Sequence, residues 1–132
     1  MKDLFFDSVK NNDVESVKSF LKDDEKLLKE KNSLGDTPLH LAAKSSLEMT
    51  KIFLESGIDA NVIGFRDETP LFRAKNLEIA KYLIENGADI RAKDCWGDTP
   101  FFCHINIRGH EDIVNYLIQC GYKCKIKITV NK

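Results

Sequence analysis

The stretch Gly35-Asp36-Thr37-Pro38-Leu39-His40-Leu41-Ala42 decides how the rest of the chain is read. Its core returns twice, as Asp67-Glu68-Thr69-Pro70-Leu71-Phe72 and as Gly97-Asp98-Thr99-Pro100-Phe101-Phe102. All three prolines of the chain lie in these Thr-Pro pairs, and the threonines are 32 and then 30 residues apart. A second marker runs in step: Gly57, Gly87 and Gly121 are spaced by 30 and 34 residues, each after an apolar periodic run. Two unrelated markers in the same order at nearly the same period define an internal repeat.

Each marker has a physical task. A threonine hydroxyl accepts from an orphan amide of a first helical turn, and proline fits at the first helical position because it has no amide to lose. Thr37, Thr69 and Thr99 are therefore expected to start short helices. Glycine takes the left-handed conformation that closes a helix, which assigns Gly57, Gly87 and Gly121 to helix ends. A second helix falls between the markers. Its apolar columns are Leu47, Thr50, Phe53 and Leu54; Leu77, Ala80, Leu83 and Ile84; and Glu111, Val114, Leu117 and Ile118, with Thr50 and Glu111 as polar exceptions. Val14, Val17, Phe20 and Leu21 supply the same stripe in the N-terminal stretch, with Leu4, Phe5 and Val9 in its first helix. The chain thus reads as four helix pairs.

Thr37-Pro38-Leu39-His40-Leu41-Ala42 resembles the ankyrin-repeat signature, and Gly87 to Pro100 resembles the turn between ankyrin repeats. The resemblance covers roughly residues 3–121. It implies an all-α solenoid of about four helix-turn-helix units with short β-turn or hairpin fingers, in a single domain over 1–132. The units are placed at about 1–31, 32–62, 63–92 and 93–121, the first and last being atypical caps, with a tail at 122–132. The third unit is about three residues short after Leu71, so its first helix is expected to be barely one turn. In the fourth, His104 and Ile105 stand where the family has two alanines. The last helix pair is expected to be splayed or shifted there, with His104 turned to solvent or to a backbone carbonyl. Phe72 and Phe102 replace the counterparts of His40, exchanging a hydrogen bond for buried area.

The 132 residues carry 20 Lys+Arg and 21 Asp+Glu, a net charge of −1. Such balance excludes binding of nucleic acid mainly by phosphate neutralisation. No run approaches the length of a membrane span, and the N-terminus lacks the apolar stretch of a signal peptide. The expected state is a cytoplasmic monomer when free, or a protein delivered to a host cytosol. No phosphate loop and no nucleophile elbow is present, no cofactor is implied, and the reading is not an enzyme.

The resemblance implies a partner protein bound on a concave surface of finger tips and first helices. Carried over, its contributors are Leu34, Asp36, Leu41, Phe65, Arg66, Glu68, Arg73, Trp96, Asp98, Asn106 and Ile107, with Lys44, Ser45, Lys75 and Cys103 beside them. Leu34, Phe65 and Trp96 are apolar where exposure is expected, which suits a binding hot spot. Asp36, Glu68 and Asp98 form an acidic column that favours a partner with Lys or Arg. Two alternatives remain: a dedicated inhibitor, such as a bacterial immunity protein or a host-directed effector occluding one enzyme, and a zinc or thiol-redox protein using Cys103, His104, Cys120 and Cys124. A usual zinc site needs two close ligand pairs, and Cys120-x3-Cys124 supplies only one. His110 occupies the loop-histidine place of the family. The alternating Lys-Ile pattern of residues 123–132 suggests an extended edge or cap.

Overall fold

A computed structural model describes residues 2–121. Among the described residues seven α-helices lie in chain order: α1 (Lys2–Lys10), α2 (Val14–Asp23), α3 (Pro38–Ala43), α4 (Leu47–Glu55), α5 (Leu77–Glu85), α6 (Pro100–Ile105) and α7 (Glu111–Gln119). Short 3-10 turns occupy Glu25–Lys29, Phe65–Asp67 and Pro70–Arg73. No strand occurs among the described residues. The pairs α1–α2, α3–α4, the Pro70–Arg73 turn with α5, and α6–α7 form the four expected units, and α3 packs on both α1 and the Pro70–Arg73 turn.

Local chemistry starts and stops these elements as the markers require. Thr37 accepts from the His40 amide, and Thr99 from the Phe102 amide. Asp13, Ser46 and Asn76 cap the second helices of the first three units. Gly57, Gly87 and Gly121 take φ of 103°, 102° and 99° after α4, α5 and α7. Thr69 departs from the expectation: its hydroxyl caps nothing and lies buried without a partner. The reason is the single 3-10 turn that follows, in which the Phe72 amide bonds instead to the Thr69 carbonyl.

One continuous core runs through the units. Phe5, Leu39, Met49, Phe53, Leu71, Ile79, Leu83, Ile113 and Leu117 are all fully buried. Burial of each such side chain contributes about 1.5–3 kcal/mol relative to exposure. The buried column of the second helices is Met49, Ile79 and Ile113 together with Phe53, Leu83 and Leu117. Leu47, Leu77 and Glu111, placed in the stripe by spacing alone, sit at the helix starts; the two leucines are half-buried and Glu111 is exposed. In α1, Phe6 turns inward, whereas Leu4 faces solvent.

The short third unit is held from both sides. A full helix would carry its own amide and carbonyl bonds past Arg73. Here the Lys75 amide donates to the Ala43 carbonyl of the unit before, at 3.0 Å. The Leu71 carbonyl accepts from Nε2 of His104 in the unit after, at 2.8 Å. His104 is buried, so of the two placements expected for it the carbonyl is the one taken. The missing helical turn leaves room for an imidazole where neighbouring units pack alanine. Phe72 is buried as the exchange for His40 requires, but Phe102 is 52% exposed. Residues in its column face the next unit, and no further unit follows α7 among the described residues.

The two threonines should respond oppositely to the same change. Thr37→Val loses a cap and should lower stability by about 1–2 kcal/mol. Thr69→Val removes an unsatisfied buried hydroxyl and should raise stability by about 1 kcal/mol. Urea midpoints check both; equal losses at the two sites would contradict the assignment.

Candidate partner-binding face

Three fingers precede the Thr-Pro starts, and two share one design. In the second unit, Asn32 Oδ1 accepts the Leu34 and Asp36 amides, both at 3.0 Å. In the fourth, Asp94 Oδ1 accepts those of Trp96 and Asp98, both at 2.9 Å. Gly35 and Gly97 supply the positive φ that closes each turn.

The third finger has lost both devices. Gly64 stands in the place of Asn32, and Asp67 in the place of Gly35. Asp67 adopts φ 59° and Arg66 φ 63°, a left-handed pair of non-glycine residues. A different bond, from the neighbouring finger, steadies it: Asp36 Oδ1 accepts the Phe65 amide at 2.9 Å. Gly64 makes this possible, since a Cβ there would lie 2.5 Å from Asp36 Oδ1 and 2.9 Å from the His40 ring.

Asp36 is thereby buried, and Arg73 neutralises it. Both terminal nitrogens of Arg73 reach the carboxylate at 3.0 Å, and its Nε reaches Glu68 Oε1 at 2.6 Å. Burial alone would raise the Asp36 pKa, but the Arg73 bonds, the Phe65 amide and the Arg73 charge hold it below the ordinary carboxylate value. Burial likewise opposes the Arg73 charge, and Asp36 and Glu68 outweigh it. Breaking a buried pair from one side leaves an uncompensated charge and typically costs about 3–5 kcal/mol.

These contacts correct the expected acidic column. Asp36 is 2% exposed and Leu41 8% exposed, so neither presents to a partner. Glu68 and Arg73 are mostly consumed by each other and by Asp36. Asp98 is half-buried at the start of α6. Exposure at the tips holds as expected: Leu34, Phe65 and Trp96 stand open, with Ile107, Arg66 and Asn106. The structure adds one arrangement that spacing did not suggest. The Arg66 guanidinium carbon lies over the Phe65 ring at 5.0 Å and over the Trp96 ring at 4.7 Å. A signal for it existed, because Arg66 and Trp96 hold the same tip position in adjacent units.

His40 ties the second unit to the third. Its Nε2 donates to the Glu68 carbonyl at 2.7 Å, while Nδ1 accepts from the Thr37 hydroxyl and amide. Burial, and then the Arg73 charge, depress its pKa to about 4 despite the Glu68 bond. His104 is also lowered, by burial and by His110, whose Nδ1 lies 2.8 Å from its own Nδ1. With Nε2 donating to Leu71, neutral His104 accepts there and His110 donates.

Cys103 is partly buried, its thiol 3.7 Å from the Phe72 carbonyl, and burial with nearby Glu68, Asp94 and Asp98 pushes its pKa up. Such a thiol is a poor nucleophile. Cys95 and Cys120 are exposed, and Cys124 lies outside the described residues. Among the described residues no three His, Cys, Asp or Glu gather at metal-binding distance. The tail pattern of residues 123–132 also lies outside them. Away from the fingers, an open cleft of about 660 Å3 lies between the Glu25–Lys29 turn and residues 56–63, walled by Leu28, Ile58, Val62 and Ile63. No helix of the described residues is long and apolar enough to cross a membrane.

Comparison with known proteins agrees with this geometry. Residues 5–94 match the family described as ankyrin repeats (3 copies), and residues 74–118 the one described as ankyrin repeats (many copies). The chain belongs to the ankyrin-repeat family, whose members are in general protein–protein interaction modules. It is also similar to ankyrin repeat protein FPV230 of Fowlpox virus (strain NVSL), 46% identical over 44 residues. That match spans 33% of this chain and 23% of the viral protein.

The two buried histidines set a pH dependence. Both folded pKa values are lowered, that of His40 to about 4, so below the ordinary histidine value of about 6.5 the unfolded chain binds more protons than the folded one. Stability should be level above pH 7 and fall as pH drops from 6.5 towards 4. His40 alone accounts for about 3 kcal/mol of this loss. Urea midpoints between pH 8 and pH 4 check it; a midpoint that holds level or rises on acidification would contradict it.

Proposed function

We propose that the chain acts without catalysis, binding a folded partner protein through the finger tips of its second, third and fourth units. The observation that carries this reading is the exposure of three large apolar tips at equivalent or adjoining finger positions: Leu34 at 58%, Phe65 at 40% and Trp96 at 64%. A repeating stack gains nothing in its own core from such residues, whereas aromatic anchors at the centre of an interface carry much of its binding energy. Arg66, Asn106 and Ile107 extend the face. Asp36, Leu41, Glu68 and Arg73 support it from beneath.

Several tips and the first-helix edge together suit an interface of about 800 Å2 per partner. An inhibitor that occludes one enzyme would use the same face and differ only in its partner. The similarity to a viral ankyrin protein is compatible with an effector role of that kind.

The test is the double substitution Phe65→Ala with Trp96→Ala. Both side chains are largely outside the core, so the thermal midpoint should change little. Affinity for a partner isolated from the native source should fall by about a hundredfold or more, the loss of two hot-spot anchors. Unchanged affinity with retained fold would remove this face as the site.

A further inference from the structure

Arg66 presents a combination that the stack itself does not need. Its side chain is exposed and lies over two aromatic rings, Phe65 and Trp96, at cation–π distance. None of its guanidinium N–H groups meets an acceptor among the described residues, although the nearby Arg73 takes both Asp36 and Glu68. Ordering an arginine costs rotamer freedom, and here it returns no ion pair among the described residues.

The backbone beneath it is strained. In the second and fourth fingers only the glycine takes positive φ, while in the third both Arg66 and Asp67 do. The left-handed conformation is unfavourable for a residue that carries a Cβ. Three bonds hold this pair in place: Gly64 amide to Glu68 carbonyl at 2.8 Å, Phe65 amide to Asp36 at 2.9 Å, and Cys95 amide to Arg66 carbonyl at 2.9 Å. The last joins the third finger tip to the fourth. Strain that the surroundings fix in this way concentrates at functional positions.

Resting on the partner-binding reading above, we propose that Arg66, steadied by Phe65 and Trp96, is a carboxylate-binding fork that receives an Asp or Glu side chain of the partner protein, flanked there by apolar residues. The planar guanidinium offers parallel N–H groups that match a carboxylate in a bidentate bond. Lying over the rings holds the guanidinium in place, so less freedom is lost when a carboxylate binds it. Leu34 at one side and Trp96 at the other supply apolar ground for the residues next to the acid. The specificity this implies is the reverse of what an acidic column would select. Two of the three acids in that column are already paired with Arg73, and the cation at the tip is the group left open.

The test uses the full chain and a random peptide library displayed on phage. Selected peptides should carry Asp or Glu beside Leu, Ile, Met or an aromatic residue. Changing that acid to its amide should weaken binding about tenfold, the worth of a charged hydrogen bond. Arg66→Lys keeps the charge but not the fork, and should weaken the same peptides about tenfold with an unchanged thermal midpoint. Selection of no binder, peptides indifferent to the amide change, or full binding by Arg66→Lys would each overturn the proposal. So would a phosphoserine in place of the acid binding more tightly, since the fork would then serve a phosphopeptide. If Phe65→Ala with Trp96→Ala abolishes partner binding while Arg66→Lys leaves it intact, the face stands and the fork alone fails.

Discussion

Each helix pair in this chain has one apolar flank too large to leave in water and too small to close on itself. It can be sheltered only by the pair before and the pair after. That nearest-neighbour constraint explains why the core is a line of residues, from Phe5 through Phe53 and Leu83 to Leu117, and not a central ball. It also explains why a defect in one unit must be repaired by the units beside it. The third unit is the example. Its first helix is cut to the turn Pro70–Arg73, and the backbone groups this exposes are taken up by Ala43 on one side and His104 on the other. Its finger has lost both its side-chain cap and its glycine, and Asp36 of the second unit supplies another bond, to the Phe65 amide, with Arg73 reaching back to neutralise the carboxylate. A shortened repeat is tolerated because two neighbours were shaped around it.

The architecture was legible because its signals are local. Thr37-Pro38, Thr99-Pro100 and the glycines after the second helices act on the residues next to them, and each does what its chemistry requires. The register of the second helices was less legible. Leu47 and Met49 are both apolar and two positions apart, so a period alone does not say which turns fully inward; the polar Glu111 in the supposed column was the clue that Met49, Ile79 and Ile113 define it instead. Thr69 was misread because its capping role depends on a helix that Phe72 and the missing residues reduce to one turn.

Long-range electrostatics was the part spacing could not deliver. Asp36 and Arg73 are 37 residues apart, and their pairing depends on Gly64 leaving room for a carboxylate. From the sequence, the column Asp36, Glu68, Asp98 reads as an exposed acidic stripe. In the fold Asp36 and Glu68 become a brace closed by Arg73, Asp98 stays half-buried outside it, and an exposed arginine, Arg66, stands at the tip beyond. The exposed apolar tips were legible because exposure at a finger tip follows from topology alone.

The claim that stability flows only between neighbours is tested most directly by residue-resolved hydrogen exchange on the full chain. All six residues of α3 are buried between units on both sides, whereas only Pro100 and His104 are buried in α6. Amides of α3 and α4 should therefore exchange more slowly than those of α6 and α7, with the Lys75 amide protected alongside α3. Equal protection along the stack, or greater protection in α6 and α7, would contradict the account.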